Sequence, residues 1–117
     1  MDLLALQGDV RRGVRLVSTH ALSEAIADGL RPADVWAGIA GSTAEVIEDY
    51  PHDPRGASCL ILCFVQGRPV HSVVAYPSKR LAAQRQLSSL PFMVTVYRPD
   101  LRPHEWSSDF RTRVPTP

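Results

Sequence analysis

The chain reads as an α+β domain in which an N-terminal pair of helices packs on a four-stranded antiparallel sheet, closed by a short C-terminal helical turn. Three observations predict this. Apolar residues recur at helical spacing before Gly41, they change to short extended runs after it, and turn-forming residues separate those runs. Helices followed by a meander place both helices on one side of the sheet.

Residues 1–16 are weakly amphipathic, run out at Arg11-Arg12-Gly13, and read as a short helix or a loosely held arm. Ser18 and Thr19 offer capping hydroxyls to a helix carrying Leu22, Ala25 and Ile26 on one face, and Gly29 suits its exit. Pro32 fits the first turn of a second helix, with Asp34 near its positive end. Val35, Trp36 and Ile39 form its buried side, and Gly41 ends it.

Ala44 to Tyr50 holds Val46 and Ile47 among acids, as an exposed strand would, and residues 51–56 are dense in turn formers. Ser58 to Val65 is almost continuously apolar, the pattern of a central strand covered on both faces. Gln66-Gly67-Arg68-Pro69 then reverses the chain into Val70 to Tyr76, setting Val65 opposite Val70 and Phe64 opposite His71. In that register His71 shares a face with Leu60, Leu62 and Val73, while Ser72 and Tyr76 lie on the other with Cys63. Lys79 to Pro91 is a basic excursion that could hold a short helix from Leu81 to Leu90. Phe92 to Arg98 forms the fourth strand, and Trp106 and Phe110, four apart, dock as one helical turn.

At 117 residues and 44% hydrophobic, the sequence fits one domain, with a core from residue 17 to 113 and a tail at 114–117. Charge is segregated. Residues 1–52 hold four Arg and eight acids, giving −4, and residues 53–117 hold nine Lys or Arg and four acids, giving +5. Such a distribution is expected to attract polyanions or an acidic protein, unless it is only a solvated surface. Cys59 and Cys63 stand about 13 Å apart along a strand, too far for a disulfide, and read as reduced core residues of a cytoplasmic protein. No zinc-ligand spacing is present, so no metal or cofactor is expected. No apolar run approaches the roughly 20 residues of a membrane helix.

Function is sought where polar groups interrupt apolar strands. A buried imidazole needs a hydrogen-bond partner, which draws attention to His71 and to Tyr97-Arg98. Tyr97 and Arg98 face opposite sides of their strand, and both reach one pocket only if it ends there, as Pro99 suggests. Trp106 and Phe110 suit core plugs better than base-stacking platforms.

Ser18-x-His20-Ala21, Gly29-Leu30, Val46-Ile47-Glu48-Asp49-Tyr50-Pro51, Asp53-Pro54-Arg55-Gly56, Cys59-Leu60, Pro69-x-His71, Thr95-Val96-Tyr97-Arg98-Pro99-Asp100, Trp106, Phe110 and Arg113 come in a fixed order. Together they resemble a bacterial domain-of-unknown-function family, often encoded beside a zinc-finger antitoxin and distantly related to the RelE and BrnT ribonuclease toxins. That resemblance implies a RelE/BrnT-like fold and a metal-independent ribonuclease toxin. RNA and a cognate antitoxin would be its partners; apart from the resemblance, the doubly apolar central strand would suit a homodimer in which a second copy covers it.

RNA cleavage without a metal needs a base, an acid and cations around the phosphate. In that reading His71 or His20 supplies the acid or base, Arg98 and Arg113 bind phosphate, and Tyr97 or Tyr50 positions the scissile group. Arg55 fits a phosphate-binding backbone nest. The sequence departs from the family's usual His-Ala-x-x-Arg-Met-x-x-Arg-Gly helix, with Glu24-Ala25 and Asp28 in place of its arginines and methionine. Anions there repel a phosphate, a loss that Lys79, Arg80 and Arg85 could offset. The rival expectation is a catalytically inactive module that engages an antitoxin or other acidic protein.

Overall fold

The computed structural model describes residues 1–13, 15–54, 56–77 and 90–115. The chain runs α1 (Leu3–Arg11), β1 (Leu16–Val17), α2 (Thr19–Ala27), α3 (Pro32–Ile39), β2 (Glu45–Tyr50), β3 (Ser58–Val65), β4 (Arg68–Ala75), β5 (Phe92–Tyr97) and a 3₁₀ turn (Pro99–Leu101). The mixed α+β class stands, but among the described residues with three helices and a five-stranded sheet ordered β1-β5-β4-β3-β2. The added strand, β1, pairs parallel with β5. Two residues are too few to set a hydrophobic period, so the sequence pattern does not reveal it.

The N-terminal arm is a helix. Asp2 caps it through a side-chain bond to Ala5 N–H, and Leu6 and Val10 enter the core. Gln7 donates from its side chain to the carbonyls of Ile39 (3.0 Å) and Gly41 (3.1 Å), tying α1 to the end of α3. Ser18 caps α2 by accepting from Ala21 N–H at 2.9 Å, and Pro32 opens α3 as expected. Gly38 brings α3 against β3, because a Cβ there would lie 3.1 Å from the Phe64 carbonyl and 3.2 Å from Cys63 Sγ.

The β3–β4 hairpin turns over Gln66 and Gly67, both at positive φ, so Val65 pairs with Arg68 and His71 with Leu62. The expected register was therefore two residues out, because the turn is the two-residue kind, with Arg68 already in the strand. A shift of two preserves the faces. Cys59, Ile61, Cys63, Val70 and Val74 form the core that also holds residues of all three helices, and Leu60, Leu62 and His71 point the other way.

That second face is also buried. Beyond the 3₁₀ turn the chain forms a strap, closed by a bridge between Trp106 and Arg113, bonds from Ser107 N–H to Thr112 O (2.8 Å) and from Val114 N–H to Glu105 O (2.9 Å). The expected helical turn at Trp106 and Phe110 does not form, since Phe110 lies at φ 63°, a left-handed conformation that a helix excludes. With helices on one face and the strap on the other, β3 needs no second copy of the chain to cover it.

The two ends of the sheet are finished differently. Past the short pairing with β1, the outer edge of β5 is capped by α2 and the residues flanking it. Ser18 Oγ donates to Val94 O (3.0 Å), Glu24 Oε1 accepts from Val96 N–H (3.3 Å), and Asp28 Oδ2 accepts from Arg98 N–H (2.8 Å). Glu24 and Asp28 thus serve as edge caps. At the other end β2 carries a bulge between Val46 and Glu48, and its outer edge meets no strand among the described residues.

Candidate functional site

The strap-covered face gathers four of the sequence-predicted site residues. On adjacent strands, His71 sits opposite Tyr97. The imidazole is fully buried, with Nε2 2.8 Å from the Phe110 carbonyl and Nδ1 3.1 Å from the Tyr97 hydroxyl. A carbonyl can only accept, so Nε2 carries the hydrogen and Nδ1 accepts from Tyr97 in the neutral ring. Burial, and next to it the Arg113 charge, hold His71 below the ordinary histidine pKa against the pull of the Phe110 bond and of Glu48. Burial likewise pushes Tyr97 up to about 12. The Trp106 ring meets His71 edge-on at 4.2 Å.

Arg113 extends the network to β2. Its guanidinium lies 4.8 Å above the Trp106 ring and binds Glu48 through Nε (2.7 Å) and Nη2 (3.1 Å). Tyr50 donates its hydroxyl to the same carboxylate. The Arg113 bond holds Glu48 below its ordinary range despite partial burial. Beyond Tyr97, Arg102 sits 5.3 Å over the phenol ring and bonds Asp28 at 3.0 Å. Between these parts lies a cleft of about 330 Å³, lined by Thr95, Tyr97, Arg102, Glu105, Trp106 and Arg113 among others.

His71, Tyr97, Tyr50 and Arg113 are therefore brought together, and His20 and Arg98 are not. His20 is largely exposed on α2, 3.1 Å from Glu24. Arg98 lies in the sequence just past the end of β5, and its side chain is buried with Nη1 unpartnered among the described residues. Arg55, Lys79, Arg80 and Arg85 lie outside the described residues, as does all but Leu90 of the helix expected from Leu81 to Leu90.

Glu48 and Arg102 escaped the sequence reading. Glu45 and Glu48 are three apart, which in an unbroken strand sets them on opposite faces. The bulge returns both to one face, opposite Leu62 and Leu60. A second bulge, in the β4–β5 pairing, does the same for Met93 and Val96 on the helix side. Neither bulge leaves a residue signature.

The charge segregation also has a local explanation. The acids of the first half meet the arginines of the second across the fold, in the pairs Asp28–Arg102 (3.0 Å), Glu45–Arg111 (2.7 Å) and Glu48–Arg113 (2.7 Å). Arg68 pairs with Asp100 at 2.9 Å. Among the described residues, every arginine of the second half is thus ion-paired or, as Arg98, buried. Among the described residues, the positive charge of the second half is thus met by carboxylates within the fold.

A family model, the domain of unknown function DUF4258, matches residues 17–98. The chain belongs to the DUF4258 family. The match covers both helices of the expected pair and the sheet from β1 to β5, so His71, Tyr97, Tyr50 and Glu48 are residues of the DUF4258 region, whereas the strap with Trp106 and Arg113 follows it. Neither the curated proteins nor the solved structures return a match. No helix among the described residues is long and apolar enough to cross a membrane.

Proposed function

We propose that this DUF4258 chain is a binding module of a bacterial toxin–antitoxin pair, one that holds a partner protein and does not cut RNA. The observation that carries the reading is His71, whose two nitrogens are both engaged inside the fold and out of solvent. A general acid or base must reach the proton it moves, and this imidazole faces protein on both sides. The cancelled charges around Arg102, Arg111 and Arg113 weigh the same way, because a phosphate would have to displace carboxylates already in place. The outer edge of β2, which meets no strand among the described residues, offers a protein partner backbone donors and acceptors. The order of sequence motifs, with a helix pair on a meander, supports a RelE/BrnT-like placing of the fold. Two free, buried cysteines support a cytoplasmic location.

One feature favours the second reading, metal-independent RNA cleavage. Arg102 and Arg113 stack on Tyr97 and Trp106 around one cleft, with Glu105 in its lining as a carboxylate base. Incubating the purified chain with RNA in a chelator, beside His20→Ala, His71→Ala, Arg98→Ala and Arg113→Ala, separates the two. Under the binding-module reading RNA stays intact in every sample, and co-expression with the protein encoded next to it gives a complex of fixed stoichiometry. Cleavage by the wild type that disappears in Arg113→Ala would establish the ribonuclease instead.

A further inference from the structure

The cleft of about 330 Å³ forms where the strap meets the sheet, and its lining is graded from apolar to charged. Leu60, 1% exposed, and half-buried Val73 make its floor. Tyr97 from β5 and Trp106 from the strap line it above them, each ring carrying an arginine, Arg102 at 5.3 Å and Arg113 at 4.8 Å. Its carboxylates are Glu24 from α2 and Glu105 from the strap. The cleft stands at the small end of ligand pockets, which run from about 300 to 1,000 Å³, so it suits one extended side chain better than a cofactor.

The sign of the occupant's charge follows from what the lining has left to offer. Arg102 is engaged by Asp28 at 3.0 Å and by the Arg98 carbonyl at 2.9 Å, and Arg113 by both oxygens of Glu48 at 2.7 and 3.1 Å. Glu24 uses one oxygen, Oε1, for Val96 N–H and His20. Glu105 is exposed and in no ion pair among the described residues. Even with Arg98 counted, whose charge also acts on Asp28, the four carboxylates around the cleft outnumber the three guanidinium groups. A cation is therefore favoured there over an anion.

We propose that this cleft seats a basic side chain, lysine or arginine, of the protein that the module holds. The inference rests on the binding-module reading and adds the chemistry of the partner. The aliphatic stem lies along Leu60 and Val73, and the charged head reaches Glu105 and Glu24 at the mouth, as long cationic side chains do when an apolar surface ends in polar groups. An acidic partner, which the net charge of the second half of the chain invites, would instead meet arginines that already hold carboxylates.

The test titrates the full chain with Nα-acetyl-lysinamide and follows the amides of Val73 and Thr95 and the indole N–H of Trp106 by NMR. Saturable shifts with Kd on the order of 10 mM, the scale of one side chain, are expected. Nα-acetyl-norleucinamide, with the same stem and no charge, and Nα-acetyl-glutamine's acidic counterpart, Nα-acetyl-glutamamide, should bind more weakly. Glu105→Gln should weaken lysinamide about threefold and Glu105→Lys about tenfold, whereas Asp34→Asn, an exposed acid on α3 across the sheet, should leave it unchanged. No binding at these residues, equal binding of norleucinamide, tighter binding of the acidic amide, or indifference to Glu105→Lys overturns the proposal. The complex with the protein encoded next to the chain is a separate measure. If it forms and Glu105→Lys does not weaken it, the cleft proposal falls and the binding-module reading stands. If RNA is cut and no complex forms, that reading falls, and the lysinamide titration still decides what the cleft takes.

Discussion

Replacing Trp106 by Ala is expected to destabilise the fold by about 3–5 kcal/mol, the range for removing a large aromatic side chain from a packed site. The indole contacts the edge of His71 and carries the Arg113 guanidinium on its face. Its loss opens a cavity over β4 and frees the strap at once. Urea denaturation of Trp106→Ala and wild type measures the difference. A loss under about 1 kcal/mol would mean that the strap adds little to the sheet it covers.

Asp28→Ala should cost about 2–3 kcal/mol, because one carboxylate serves two donors in a poorly solvated place. It accepts from Arg98 N–H and from Arg102, and its side chain is 10% exposed. Burial disfavours the charge, but the bonds from Arg102 and from Arg98 N–H prevail and hold the carboxyl below its ordinary range. The sign follows. Unfolded chains bind the proton first as pH falls, so this contribution is complete above the ordinary carboxylate pKa and is lost as pH drops through the lower folded value. Wild type and Asp28→Ala should thus converge in stability at strongly acid pH, as denaturation across a pH series would reveal. Asp28→Arg should be worse than Ala, since the N–H of Arg98 would face a donor.

How much could be read from the residues follows the reach of local patterning. Ser18, Pro32 and the apolar run from Ser58 to Val65 act within their own elements, and the helix pair and central strand formed where they indicate. The faces of β3 and β4 survived a register slip because the error was even. Three things were not legible, each depending on distant partners. The β1–β5 pairing joins residues some 75 apart, the bulges rotate Glu48 and Val96 onto faces that simple alternation denies them, and the strap folds by lying on a sheet already built. At the site, His71 and Tyr97 stand out because polar groups in apolar strands are conspicuous, whereas Tyr50 and Arg113 are reached only through the family resemblance and the chemistry it implies. Arg102 was missed because an arginine in a proline-rich tail looks like any solvated one.

Cys59 and Cys63 lie four residues apart on the helix-facing side of β3, neither with any accessible surface, and burial lifts both thiols to about 12. Hardly any thiolate exists there at neutral pH, and no reagent can approach. A maleimide or iodoacetamide should therefore leave intact molecules untouched and mark twice any that have come apart. The middle strand thus carries its own tally of how often the molecule opens, and the rate of double alkylation in dilute denaturant would read it directly.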